Sequence, residues 1–123
     1  MIPQTQSRTG KNGRCFQACL ASILEIKEAD VPEFATDDLF LSQTQDFLKQ
    51  FNLYYIQVDI DSPGLKQAFK NGPVYHTIEG KSPRGHLHAV VGLNGQMAWD
   101  PHPQDGTGRG LVRVDCFGIL CAR

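Results

Sequence analysis

Residues 15–26 read CFQACLASILEI, with apolar or small side chains around nearly the whole circumference of a helix. A surface helix shows an apolar stripe. One that is apolar on all sides has to be covered on all sides. A chain that opens with such a segment is expected to wrap its later elements around a central N-terminal helix. The run is too short for a membrane span, which takes ~20 apolar residues, and Ser22 and Glu25 interrupt it. No other run comes closer, so no membrane is expected as partner.

The elements that follow have to supply the cover. Residues 29–36, with Pro32, read as a loop. Residues 37–51 read as a second helix, with Asp37 and Asp38 at its positive end and Leu39, Phe47, Leu48 and Phe51 as its apolar side. Residues 53–59 (LYYIQVD) read as a strand, 63–70 as a short helix stopped by Asn71-Gly72, and 73–78 as a strand. A loop is expected from Gly80 to Gly85. Residues 88–93 and 96–99 flank Asn94-Gly95, a strong hairpin signal. Residues 101–110 form a Gly/Pro-rich loop, and 111–120 give one or two last strands. Helices come first and strands last, which predicts an α+β fold with a helical layer on an antiparallel sheet. At 123 residues the chain is expected to form one domain, residues 1–123, that needs no metal or disulfide to fold.

Charge excludes some partners. Twelve basic against thirteen acidic residues leave a net charge of −1, with no field of one sign to attract nucleic acid. The N-terminal residues, MIPQTQSRTGKNGR, contain no apolar signal core, so a cytoplasmic location is expected. In that compartment Cys15, Cys19, Cys116 and Cys121 are expected as thiols. Their C-x3-C and C-x4-C spacings match no zinc pattern.

One of these thiols sits where chemistry is favoured. Cysteine is a nucleophile only as thiolate, and the first turn of a helix favours the anion. Cys15 opens the buried helix directly after the turn Gly10-Lys11-Asn12-Gly13. Cys19, one turn deeper, reads as a core thiol. A thiolate needs an imidazole, and the imidazole needs a third group to hold its tautomer. His88 opens the buried strand His88-Ala89-Val90-Val91, and is preferred over His86, two residues earlier. Asp100 ends the next strand. Register decides whether the two meet. A plain two-residue Asn94-Gly95 turn pairs Asp100 with Ala89 and turns it away from His88. One extra residue pairs it with Val90, on the His88 face. A triad of Cys15, His88 and Asp100 therefore requires a bulge or strong twist in this hairpin.

Together these motifs resemble the papain-like cysteine peptidase superfamily, with the order Cys, His, Asp and the cysteine at the start of a central helix. The nearest type is the bacteriocin-processing, double-glycine leader peptidase. Its cysteine motif, roughly D-C-G-x-A-C-L-A-M-I-L, is similar to Arg14-Cys15-Phe16-Gln17-Ala18-Cys19-Leu20-Ala21-Ser22-Ile23-Leu24. Its H-x-V-V and following D-P are similar to His88 to Val91 and Asp100-Pro101. The chain also resembles small phage and bacterial proteins that carry V-P-x-F, S-P-R-G and W-D-P-H-P, here Val31 to Phe34, Ser82 to Gly85 and Trp99 to Pro103. The resemblance implies a papain-like fold and a Cys-His-Asp triad but no known substrate; a protein or peptide substrate is the expected partner.

The departures are local. The leader peptidases place an oxyanion-hole glutamine six residues before cysteine, where this chain has Thr9. Gln6, nine before, and Gln4, eleven before, are the candidates. Asn12 to Phe16 echoes the D-G-N-C-x-F motif of ovarian-tumour-type deubiquitinases. The expected reaction is hydrolysis of a peptide, isopeptide or side-chain amide bond without a cofactor. Cys15 and His88 stand at element ends, so neither side chain is expected to matter to the core. His102 reads as a surface loop residue and Arg84 as a group able to grip a carboxylate or phosphate. The alternative is a papain-like binding module that blocks or recruits a host protein. Arg14 and Phe16 lean that way, since Phe16 beside Cys15 would crowd the acyl site.

Overall fold

The computed structural model describes residues 1–10, 13–103 and 108–123. Lys11 and Asn12 of the expected turn, and residues 104–107 of the expected Gly/Pro loop, lie outside them. The chain is α+β. Among the described residues three α-helices, α1 (Cys15–Leu24), α2 (Phe40–Leu48) and α3 (Pro63–Lys70), accompany five strands. These are β1 (Leu53–Val58), β2 (Tyr75–Lys81), β3 (Leu87–Leu93), β4 (Gln96–Trp99) and β5 (Arg113–Ala122). All pair antiparallel, in the order β1-β5-β2-β3-β4. No helix among the described residues is long and apolar enough to cross a membrane.

The central helix is where its sequence puts it. Every residue from Phe16 to Ser22 is buried, and α1 lies chiefly on β3. Phe16, Leu20, Phe47, Leu48 and Tyr55 form a core with Ala89 and Val91 on the helix side of the sheet. Each large apolar side chain contributes ~1.5–3 kcal/mol by leaving water. Ile78, Val90 and Phe117 face the other way and pack against Leu65 and Phe69 of α3. Buried His76 sits between Phe69 and Phe117, and its Nε2 accepts the Gly95 N–H at 2.9 Å. Burial holds this imidazole below its usual pKa, which keeps that acceptor neutral.

Several boundaries differ from the sequence reading. Helix α1 stops at Leu24 because Glu25 turns left-handed (φ 61°) and returns its N–H to Ala21 O. Asp37 caps a turn through Leu39 N at 2.9 Å before α2 begins at Phe40. The last strand is a single one. Strand β2 runs through Gly80 rather than ending at Ile78. The glycine is needed inside the strand, since a Cβ there would overlap the backbone carbonyl of Arg113 on β5. Gly80→Ala is therefore expected to lower unfolding stability by about 1–3 kcal/mol or more, read as a fall in the urea midpoint.

Candidate active site

The hairpin decides what meets at the end of β3. Its turn has two residues, with Asn94 at φ 51° and Gly95 at φ 89°, and Leu93 pairs with Gln96. Register then shifts. Gly92 pairs with Met97 but Val91 with Trp99, so Ala98 is an extra residue on β4. The slip carries Asp100 opposite Val90. The His88 ring Nε2 and Asp100 Oδ1 stand 2.8 Å apart. Strand β4 pairs only with the second half of β3, which leaves the edge beside His88 to the lead-in segment and the loop after Asp100.

Cys15 is the first residue of α1 and half-buried, and its thiol is the other group that acts on the His88 ring. With Nε2 turned to Asp100, the Nδ1 side of the ring is left for sulfur. Burial opposes the imidazolium, but the bonds and charges of Asp100 and Cys15 outweigh it and hold His88 at about 9. Burial also opposes the Asp100 anion, yet His88, the Gly110 N–H and the His102 N–H keep it down at about 2. Those backbone bonds measure 2.6 Å to Oδ2 and 2.9 Å to Oδ1. Asp100 is 1% exposed and His88 5%.

Three neighbours of the acid escaped the sequence reading. Arg109 donates to the carbonyls of Asp100 at 3.0 Å and His102 at 3.1 Å while lying over Trp99. Gly110 supplies the donor to Oδ2 from a left-handed backbone (φ 80°). His102 is buried, not a surface residue, because its N–H is drawn onto Asp100, and its ring stands edge-on to His88. Glycines 108 and 110 around Arg109 were the available signal, though spacing alone does not reveal a strap.

The remaining expectations sort by geometry. His86 is exposed in the turn before β3, away from the pair. Arg84 donates to the Gly108 carbonyl, tying the 82–85 turn to the strap. Phe16 does not crowd Cys15. It turns into the core against Phe34, Phe40 and Tyr55. Gln4 docks the lead-in: its amide oxygen accepts the Glu28 N–H at 3.2 Å, and its carbonyl accepts the Trp99 indole at 2.9 Å. Gln6 lies closer to the loop before Cys15. It is buried, its backbone N–H reaches Pro101 O, and its Nε2 donates to Arg8 O at 2.9 Å. That carbonyl also receives the Arg14 N–H, one residue before Cys15. Gln6 Nε2 lies 3.1 Å from where a Cβ on Gly13 would stand, so glycine keeps this approach open.

All four cysteines are free thiols, and among the described residues no group of His, Cys, Asp or Glu is placed to hold a metal ion. Surface hollows lined by Val58 to Pro63 and by Pro32 to Phe47 contain neither Cys15 nor His88. No known family model matches the chain, and no curated protein or solved structure matches it significantly.

Proposed function

We propose that the chain is a papain-like cysteine hydrolase that cleaves a peptide, isopeptide or side-chain amide bond. The observation that carries this reading is a buried imidazole paired at 2.8 Å with a buried carboxylate and raised to about 9 by that carboxylate and by the half-buried thiol at the start of α1. The Cys15 thiolate attacks the acyl carbon. The carbonyl oxygen becomes an anion facing the first turn of α1, which no side chain caps. Cys15 N–H and Gln6 Nε2 are the assigned donors, each worth ~3 kcal/mol in the transition state. His88 gives its proton to the leaving amine. Water, deprotonated by His88, then releases the acyl group from sulfur. Asp100 stays ionised throughout and orients the ring. The proposed setting is the cytoplasm of a bacterial or phage-infected cell.

The second reading is a binding module with little turnover. Thiol alkylation separates the two. In a hydrolase Cys15 is expected to react first with iodoacetamide at neutral pH, followed by peptide mapping. Cys19 is fully buried and its thiol is pushed well up by burial, and Cys116 is pushed up to about 11. If Cys19 or Cys116 reacts first in the folded protein, Cys15 is not the nucleophile.

A further inference from the structure

The residue before Cys15 does something that neither the triad nor the core explains. Arg14 occupies the N-cap position of α1, where Ser, Thr, Asp or Asn would normally bond the first turn, and it caps nothing. Its guanidinium, 7% exposed, runs back to the segment after the helix. Nε is ion-paired with the Glu28 carboxylate, and Nη1 with Glu33 at 2.6 Å. Nη2 donates to the carbonyls of Glu28 at 2.9 Å and Val31 at 2.6 Å. The lead-in holds the same acceptors from its side. Ser7 Oγ donates to Glu28, and Arg8 is paired with Glu33. Arg8 O in turn receives both Gln6 Nε2 and Arg14 N–H.

A buried ion pair of this kind adds little net stability over well-packed apolar groups, because both charges are taken out of water. What it fixes is geometry. A fork with four acceptors admits one placement of the Arg14 backbone, and so of Cys15. We propose that Arg14 is the positioning residue of the nucleophile: its buried fork sets Cys15 and Gln6 in register on the Arg8 carbonyl. This rests on the hydrolase reading and adds to it the reason the first turn of α1 needs no cap.

The test uses the full chain and needs no substrate. Iodoacetamide labelling of each thiol is followed by peptide mapping in the wild type, in the apolar replacement Arg14→Met/Glu28→Leu, and in Glu33→Gln, alongside thermal melts. The double variant is expected to fold, to slow Cys15 alkylation about tenfold or more, and to leave Cys19 protected. Glu33→Gln removes one of the two carboxylates at a side chain 57% exposed, so it folds. It is expected to slow Cys15 by a few-fold. A merely structural role has the opposite signature: a lower melting temperature, Cys19 newly labelled, and Cys15 no slower. That result overturns the proposal. If the double variant does not fold, an unchanged Cys15 rate in Glu33→Gln overturns it instead. A wild type in which Cys15 does not react first defeats the hydrolase reading, and does so before any variant is compared.

Discussion

Cys15→Ala is expected to abolish turnover of any substrate, a loss of about 10⁴-fold or more, with a melting temperature close to that of the wild type. Cys15 is half-buried at the edge of α1, and alanine is a good first helical residue. His88 behaves differently. The sequence placed it at a strand mouth where the core would not miss it. In the structure it is 5% exposed and is the ring partner of a carboxylate that is 1% exposed. His88→Ala leaves that charge with backbone donors only, so it is expected to cost stability as well as activity. His88→Gln retains an N–H for Asp100 and is the cleaner comparison. It is expected to fold and still lose turnover, and Cys15→Ala/His88→Gln should be no slower than either single variant, since the pair acts as a unit. In the wild type the alkaline limb of kcat/KM is expected to fall through about 9, where His88 gives up its proton. Full biological effect of Cys15→Ala in a cell assay would replace the enzyme with a binding module.

How far these residues were legible depends on what each one rests on. The central helix was legible because seven consecutive buried residues leave an unmistakable pattern, and the Asn94-Gly95 turn because few dipeptides adopt two left-handed conformations so readily. From those, Cys15 and His88 followed. Asp100 was legible only as a condition, since a bulge leaves no mark in composition. The extra residue at Ala98 is an ordinary alanine, and it is what moves the acid onto the His88 side. Gln4 and Gln6 were not separable, because the lead-in has no periodicity. Tertiary bonds to Glu28 and to Arg8 distinguish them. The Arg14 fork was not legible for the same reason: its four acceptors lie in a segment that begins fourteen residues on.

Asp100 carries the other large effect, and the bonds it accepts set its direction. Oδ1 takes His88 Nε2 and the His102 N–H, while Oδ2 takes the Gly110 N–H at 2.6 Å. Asp100→Ala removes the acceptor for all three donors inside a buried site. The expected loss is about 3–5 kcal/mol of unfolding stability, together with the ring orientation that turnover needs. Asp100→Asn keeps one oxygen, which can still serve His88 and His102, but its amide N–H₂ then meets the Gly110 N–H donor to donor. Asparagine is therefore expected to hold the imidazole and retain more turnover than a Cys15 or His88 variant, yet to loosen the 108–110 strap. The dependence on pH follows from the two shifts. Asp100 lies below its ordinary value, so its contribution is present above about 3.8 and is lost as pH falls through about 2. His88 lies above its ordinary value, so its contribution is complete below about 6.5 and is lost as pH rises through about 9. Urea unfolding across pH should thus show a wild-type advantage over Asp100→Ala that is greatest between about 4 and 6.5 and shrinks on both sides. An advantage that does not change with pH would mean that the carboxylate and the imidazole are not an ion pair, and His88 would lose its assigned orienting partner.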